Sequence, residues 1–206
     1  MYSYIVFDAD GTLIDSENAA LYSLRDVLYE LWQKEMALDD LEFSFGLAND
    51  EVWKRLGVKC VERAELLWQK YYTKYSGAVT LFDGVREVLE ELAGLRRVLG
   101  LVTSKSKSEY ISDVIPLGIA DYFDHIVLAD DTEKHKPHPE PMLKFLEYSH
   151  AVPEAVLYIG DTEYDMQCAK GAGVDFALAT WGHRQPSGVK ADFYLNSPRE
   201  IIAQFC

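Results

Sequence analysis

The chain has 206 residues, 49% of them hydrophobic and 26% charged, a balance that fits a soluble globular protein of one or two domains. Its formal net charge of −14 argues against an electrostatic grip on nucleic acid or an anionic membrane, and a phosphorylated ligand would need local positive charge or a metal. No apolar run approaches ~18 residues and no basic segment precedes an apolar one, so neither a membrane span nor a signal peptide is expected; Cys60, Cys168 and Cys206 lack metal-like spacing and read as free thiols of a reducing, cytoplasmic compartment.

Tyr4-Ile5-Val6-Phe7 has the character of a strand buried on both faces. It stops at Asp8, with Asp10, Gly11 and Thr12 directly after, although Asp and Gly also make ordinary turns. Leu21, Leu24, Leu28 and Leu31 recur at helical spacing and predict a helix from about Glu17 to Glu35. Further helices are predicted over Asn49 to Leu56, with Asn49 as cap, and over Val61 to Tyr75, with Leu67, Tyr71 and Tyr75 on one stripe. About sixty residues of helix straight after a first strand suggest a small helical subdomain, whose core would hold Trp32, Trp53 and Trp68. Beyond Val79 the pattern becomes alternating. A helix through Val85, Val88, Leu89 and Leu92 precedes a strand at Val98 to Val102, a helix from Lys107 and a strand at Ile126 to Ala129. A helix from Pro139, a strand at Val156 to Ile159, a helix from Glu163, strands at Phe176 to Ala179 and Phe193 to Leu195, and a helix from Pro198 follow. Such alternation predicts an α/β fold, a doubly wound parallel sheet with a Rossmann-like core, and the helical subdomain is inserted after its first strand.

The strand ends carry the chemistry. The first ends at Asp8, the second at Thr103-Ser104, the third near Ala129-Asp130 before Lys136-Pro137, and the fourth at Gly160-Asp161. In a parallel sheet these ends lie side by side, so the carboxylates, a hydroxyl and an ammonium would converge. Asp8 and Asp161 are the natural pair for a hard divalent cation such as Mg2+. A carboxylate beside a metal can be a nucleophile, forming an aspartyl-phosphate that water hydrolyses, and Asp10 could protonate the leaving oxygen and later deprotonate water. Thr103 could donate to a phosphoryl oxygen, and Lys136 would offset charge there. Quieter readings exist for each. Thr12 to Asp15, Ser106 to Glu109 and Thr162 to Asp165 all match a helix capping box, so Asp165 could be a cap alone. Lys136 could be a solvated lysine, and His135, His138 and His183 read as exposed or loop-stabilising groups.

Taken together in this order, the residues resemble the haloacid dehalogenase-like hydrolase superfamily, in its phosphoglycolate phosphatase-like branch. The resemblance rests on Asp8, Asp10, Gly11, Thr12, Leu13, Asp15 and Ser16; on Leu101-Val102-Thr103; on Lys136-Pro137-His138-Pro139-Glu140-Pro141; and on Gly160, Asp161, Thr162 and Asp165. It implies a catalytic core of residues 1–15 and 80–206, with a mobile cap of residues 16–79 hinged near Asp15 to Asn18 and Gly77 to Asp83. It also implies Asp8 as nucleophile and metal ligand, Asp10 as general acid/base that ligates the metal through its main-chain carbonyl, and Asp161 as the remaining protein ligand. Asp165 would support the metal directly, or through Lys136 or water. Gly11, Thr103, Ser104 and Lys136 would contact the substrate, with Phe45-Gly46-Leu47 facing them from the cap. Two features depart from the family. Phe82-Asp83-Gly84 stands where many relatives have Pro-Gly, which changes a turn, and the cap offers Lys54 and Arg55 as its nearest candidates for gripping an anionic substrate tail. The implied activity is a Mg2+-dependent phosphatase of a small phosphorylated metabolite, with a monomer or weak homodimer and no nucleic-acid or membrane partner. A sugar phosphomutase is the alternative enzyme, and a catalytically silent binding domain the alternative of another class. A dehalogenase is disfavoured because a halide leaving group needs no acid such as Asp10.

Overall fold

The computed structural model describes residues 2–182 and 188–206; His183 lies outside the described residues. Six strands form one parallel sheet: β1 (Tyr4–Phe7), β4 (Val98–Val102), β5 (His125–Val127), β6 (Val156–Gly160), β7 (Asp175–Ala179) and β8 (Phe193–Leu195), in the order β5-β4-β1-β6-β7-β8. The strand order reverses on the two sides of β1, so the crevice for a ligand opens at the carboxyl end of β1, beside those of β4 and β6.

Side-chain alternation along these strands produces two cores. Ile5, Phe7, Leu99, Leu101, Leu157 and Ile159 face one way, against α4 (Val85–Gly94) and α8 (Glu200–Phe205). Val6, Val102, Tyr158 and Phe176 face the other way, against α6 (Glu140–Ser149) and α7 (Glu163–Gly171). Burial on both faces explains why the strands read as nearly continuous apolar runs.

The helical segment has its own core. α1 (Glu17–Trp32), α2 (Asn49–Leu56) and α3 (Val61–Tyr75) bury Leu24, Val27, Leu28, Val52, Trp53 and Ala64 together. The two chain crossings that join this segment to the sheet pair with each other as a short antiparallel ribbon, β2 (Ile14–Asp15) with β3 (Thr80–Leu81).

Several expectations need correction. Thr12 to Asp15 is not a capping box: the stretch is a tight turn in which the Leu13 and Ile14 N–H groups both donate to the Ala9 carbonyl, running into β2. α1 stops at Trp32 rather than Glu35, because Gln33 turns left-handed (φ 54°). Ala48, not Asn49, stands at the N-cap of α2. The third predicted strand ends at Val127, and Ala129–Asp131 is a 3-10 turn. The helix from Lys107 is one turn, α5 (Lys107–Glu109), that widens into a π-type turn over Tyr110–Val114. Trp32 lies at the exposed end of α1 and is not core, whereas Trp53 is fully buried.

Candidate active site

The turn after β1 sets the geometry. Gly11 has φ 76°, a conformation that glycine adopts without steric cost. A Cβ there would collide with the Asp161 carboxylate, so the residue type lets the end of β6 close against the turn after β1. Trp181 locks the same turn from the β7 side, its indole N–H donating to the Thr12 carbonyl at 2.8 Å.

Asp8 is buried at the end of β1 and receives a hydrogen bond from Lys136 Nζ at 2.7 Å. Lys136 is 1% exposed, so the solvated-lysine reading fails. The same ammonium donates to Asp165 Oδ1 (2.6 Å) and to the Tyr158 hydroxyl (2.8 Å), and that hydroxyl in turn lies 2.8 Å from the Val102 carbonyl. Asp165 also closes the capping box of α7, Oδ2 accepting from the Thr162 N–H and hydroxyl. It is therefore at once a helix cap and the anchor of Lys136, and the choice left open by the sequence dissolves. The box at Ser106 and Glu109 is present as well.

One carboxylate oxygen from each of Asp8, Asp161 and Asp165 lies within 4.8 Å of the other two. Three buried carboxylates, two of them paired with one ammonium, form a cluster with excess negative charge. Burial pushes the Asp8 carboxyl up to about 7; Lys136 opposes this, while Asp165 and Asp10 add to it. Lys136 is itself raised, since its two carboxylates outweigh its burial. A donor set of hard oxygen atoms in a site that disfavours its own negative charge suits a hard divalent cation.

Asp10 borders a cavity of about 70 Å³ between sheet and helical segment, shared with Asp8, Gly11, Ser104, Phe45 and Trp68. Its Oδ1 accepts from the Ser16 hydroxyl and lies 3.0 Å from Lys105 Nζ. Across the cavity, Gly46 (φ 77°) sits so close to Thr162 that a Cβ would meet its side chain at 2.8 Å, and the Gly46 carbonyl accepts from the Ser104 hydroxyl at 2.9 Å. The Phe45-Gly46-Leu47 loop thus roofs the cavity. Thr103 is buried at the end of β4, where its hydroxyl accepts from the Lys105 N–H, and it does not line the cavity.

Lys54 and Arg55 do not reach the site. Lys54 pairs with Glu51 on the surface, and Arg55 donates to the Tyr164 hydroxyl. The cation that does line the cavity, among the described residues, is Lys105 from the core, which the sequence reading passed over. Tyr158 was missed too. The available signal was a tyrosine inside an otherwise apolar buried strand, because a buried hydroxyl must find a partner. His138 stabilises its loop, Nδ1 accepting from the Glu140 N–H, while His135 Nε2 lies 3.5 Å from Asp50.

The family model for haloacid dehalogenase-like hydrolase matches residues 5–179, which span both the sheet and the helical segment. The chain belongs to that family. A phosphoglycolate phosphatase of Aquifex aeolicus (strain VF5) is 33% identical over 202 residues, 96% of this chain and 94% of that protein. Pyrophosphatase PpaX of Bacillus cereus (strain B4264) is 27% identical over the same shares. A crystal structure from Lactobacillus plantarum, named as a candidate phosphoglycolate phosphatase, superposes with a TM-score of 0.89 at 28% identity, covering 98% of this chain and 99% of that one. This haloacid dehalogenase-like hydrolase therefore shares its fold and most of its length with proteins named as phosphatases. No helix among its described residues is long and apolar enough to cross a membrane.

Proposed function

We propose that this hydrolase is a Mg2+-dependent phosphatase of a small phosphorylated metabolite, working through an aspartyl-phosphate on Asp8. The observation that carries the reading is the placement of Asp8: it ends the central strand at the topological switch point, is bonded to Lys136 and adjoins Asp161. The Asp8 and Asp161 side chains and the Asp10 carbonyl would hold Mg2+, which when bound supplies positive charge to the phosphoryl group. Asp165, with both oxygens engaged by Lys136, Tyr158 and Thr162, supports that site through Lys136.

In the first step an Asp8 oxygen attacks phosphorus, and the bond from phosphorus to the alcohol oxygen breaks. Asp10 gives its proton to that oxygen, and afterwards takes one from the water that hydrolyses the acyl phosphate. Lys136 fixes the nucleophile and offsets charge on the phosphoryl oxygens, assisted by the Ser104 hydroxyl and the backbone at Gly11, which line the cavity. Residues 16–79 act as a mobile cap on the core of residues 1–15 and 80–206. A cavity of about 70 Å³ holds only a handful of water molecules, so a substrate enters with the cap lifted and reacts with water excluded.

The test is turnover of p-nitrophenyl phosphate with and without Mg2+, followed by a screen of phosphorylated metabolites. Phosphate release that requires Mg2+ is expected; a folded protein with no turnover in either condition would point to a silent binding domain. Isomerisation of a hexose phosphate without phosphate release would point to the mutase.

A further inference from the structure

Lys105 occupies a place that neither the sequence motifs nor the proposed reaction uses. It lies two residues beyond Thr103, is 5% exposed, and points its ammonium at three groups from three parts of the chain. Asp10 Oδ1 from the turn after β1 is 3.0 Å away, Asp113 Oδ2 from the π-type turn is 2.6 Å away, and the Tyr72 hydroxyl from α3 is 3.5 Å away. Tyr72 is itself buried and donates to Asp113 Oδ2 at 2.7 Å. Its ring stacks on Trp68 at 5.3 Å, and the Trp68 indole N–H donates to Glu109 Oε1 at 2.9 Å. Burial works against the Lys105 charge, but Asp10, Tyr72 and Asp113 overcome it and the lysine stays protonated.

We infer that Lys105 is the positioning residue for Asp10, and that the cap completes this hold by laying Tyr72 on the Lys105–Asp113 pair. The inference rests on the reading of Asp10 as proton donor. The geometry supports it in two ways. Both contacts on Asp10, from Ser16 and Lys105, fall on Oδ1, which among the described residues leaves Oδ2 for the proton. The third partner of the lysine network comes from the element that must move for substrate to enter, so lifting α3 removes Tyr72 and loosens Lys105. Proton donation is thereby tied to a closed cap.

Leaving-group dependence tests this, because a merely structural lysine or a phosphate-binding one would affect all esters alike. Nitrophenolate departs without a proton, whereas an alkoxide needs one. The measurement is kcat/KM, which covers steps up to departure of the alcohol, for p-nitrophenyl phosphate and for the best-used alkyl phosphate found in the screen. Asp10→Asn serves as the reference: it should lose about 10²- to 10⁴-fold more on the alkyl ester than on the aryl ester. Lys105→Met is expected to show the same selective loss, by about 10-fold or more, and Tyr72→Phe the same selectivity at a smaller size. Lys105→Met strands the buried Asp113 carboxylate, so the double variant Lys105→Met/Asp113→Asn is measured alongside, with thermal melting to verify folding. Equal losses on both esters in the lysine variants, with Asp10→Asn selective, would overturn this inference alone. A non-selective Asp10→Asn would overturn the role of Asp10 and the inference with it.

Discussion

Asp8 carries a conflict that can be measured. Its carboxyl is pushed up to about 7 by burial, against an ordinary value of 3.8. A raised carboxyl contributes stability that is fully present below its ordinary pKa and lost as pH rises through the folded value. Without metal, the melting temperature of the wild type relative to Asp8→Asn should therefore fall between about pH 4 and pH 8, and added Mg2+ should shrink that fall. Asp8→Asn should remain folded, because the amide relieves a buried charge, yet lose activity by about 10⁴-fold or more, as removal of a covalent nucleophile does. Lys136 behaves in the opposite way. Removing it as Lys136→Ala strands two buried carboxylates, Asp8 and Asp165, and should destabilise by about 3–5 kcal/mol in denaturant melts without metal.

At the level of elements, the turn after β1 and the roof loop both close on the residues at the end of β6, Asp161 and Thr162, because Gly11 and Gly46 lack a side chain. Gly46→Ala places a Cβ at φ 77°, which costs about 1–2 kcal/mol, and drives it into Thr162. The cap would then seat imperfectly while the sheet and its two cores stay as they are. The expected outcome is a fall in kcat/KM for every ester, with little change in the melting of the core. The α7 capping box couples differently. Thr162 holds Asp165, Asp165 holds Lys136, and Lys136 holds Asp8, so Thr162→Ala should cost about 1 kcal/mol from the cap and also loosen the nucleophile.

For the molecule as a whole, the cap is joined to the core by the β2–β3 ribbon and by polar sutures such as Ser104 to Gly46, Trp68 to Glu109 and Tyr72 to Asp113. The buried residues of the cap's apolar core all come from the cap, with Tyr164 of α7 packed against them from outside, so the proposed opening would break mostly hydrogen bonds and this one aromatic contact. Limited proteolysis across residues 77–83 should slow when Mg2+ and orthovanadate are added together, and an unchanged cleavage rate would count against a moving cap.

The α/β alternation, the helical insertion and the meeting of Asp8, Lys136 and Asp161 are legible in the chain read alone, because period and strand termini are local properties that one sheet topology brings together, whereas Thr103 follows the end of β4 yet does not line the cavity. Boundaries fared less well where tertiary hydrogen bonds decide them: Thr12 to Asp15 carries a capping pattern, yet the antiparallel pairing of Ile14 and Asp15 with Leu81 and Thr80 prevails. Which charges face the cavity depends on packing between distant elements. Lys54 and Arg55 sit on the helical segment that roofs the site, yet they point elsewhere, and Lys105, an unremarkable lysine in sequence, is drawn into the interior. A buried ammonium is tolerable only where carboxylates from distant parts of the chain surround it, and no stretch of sequence read alone reveals that company.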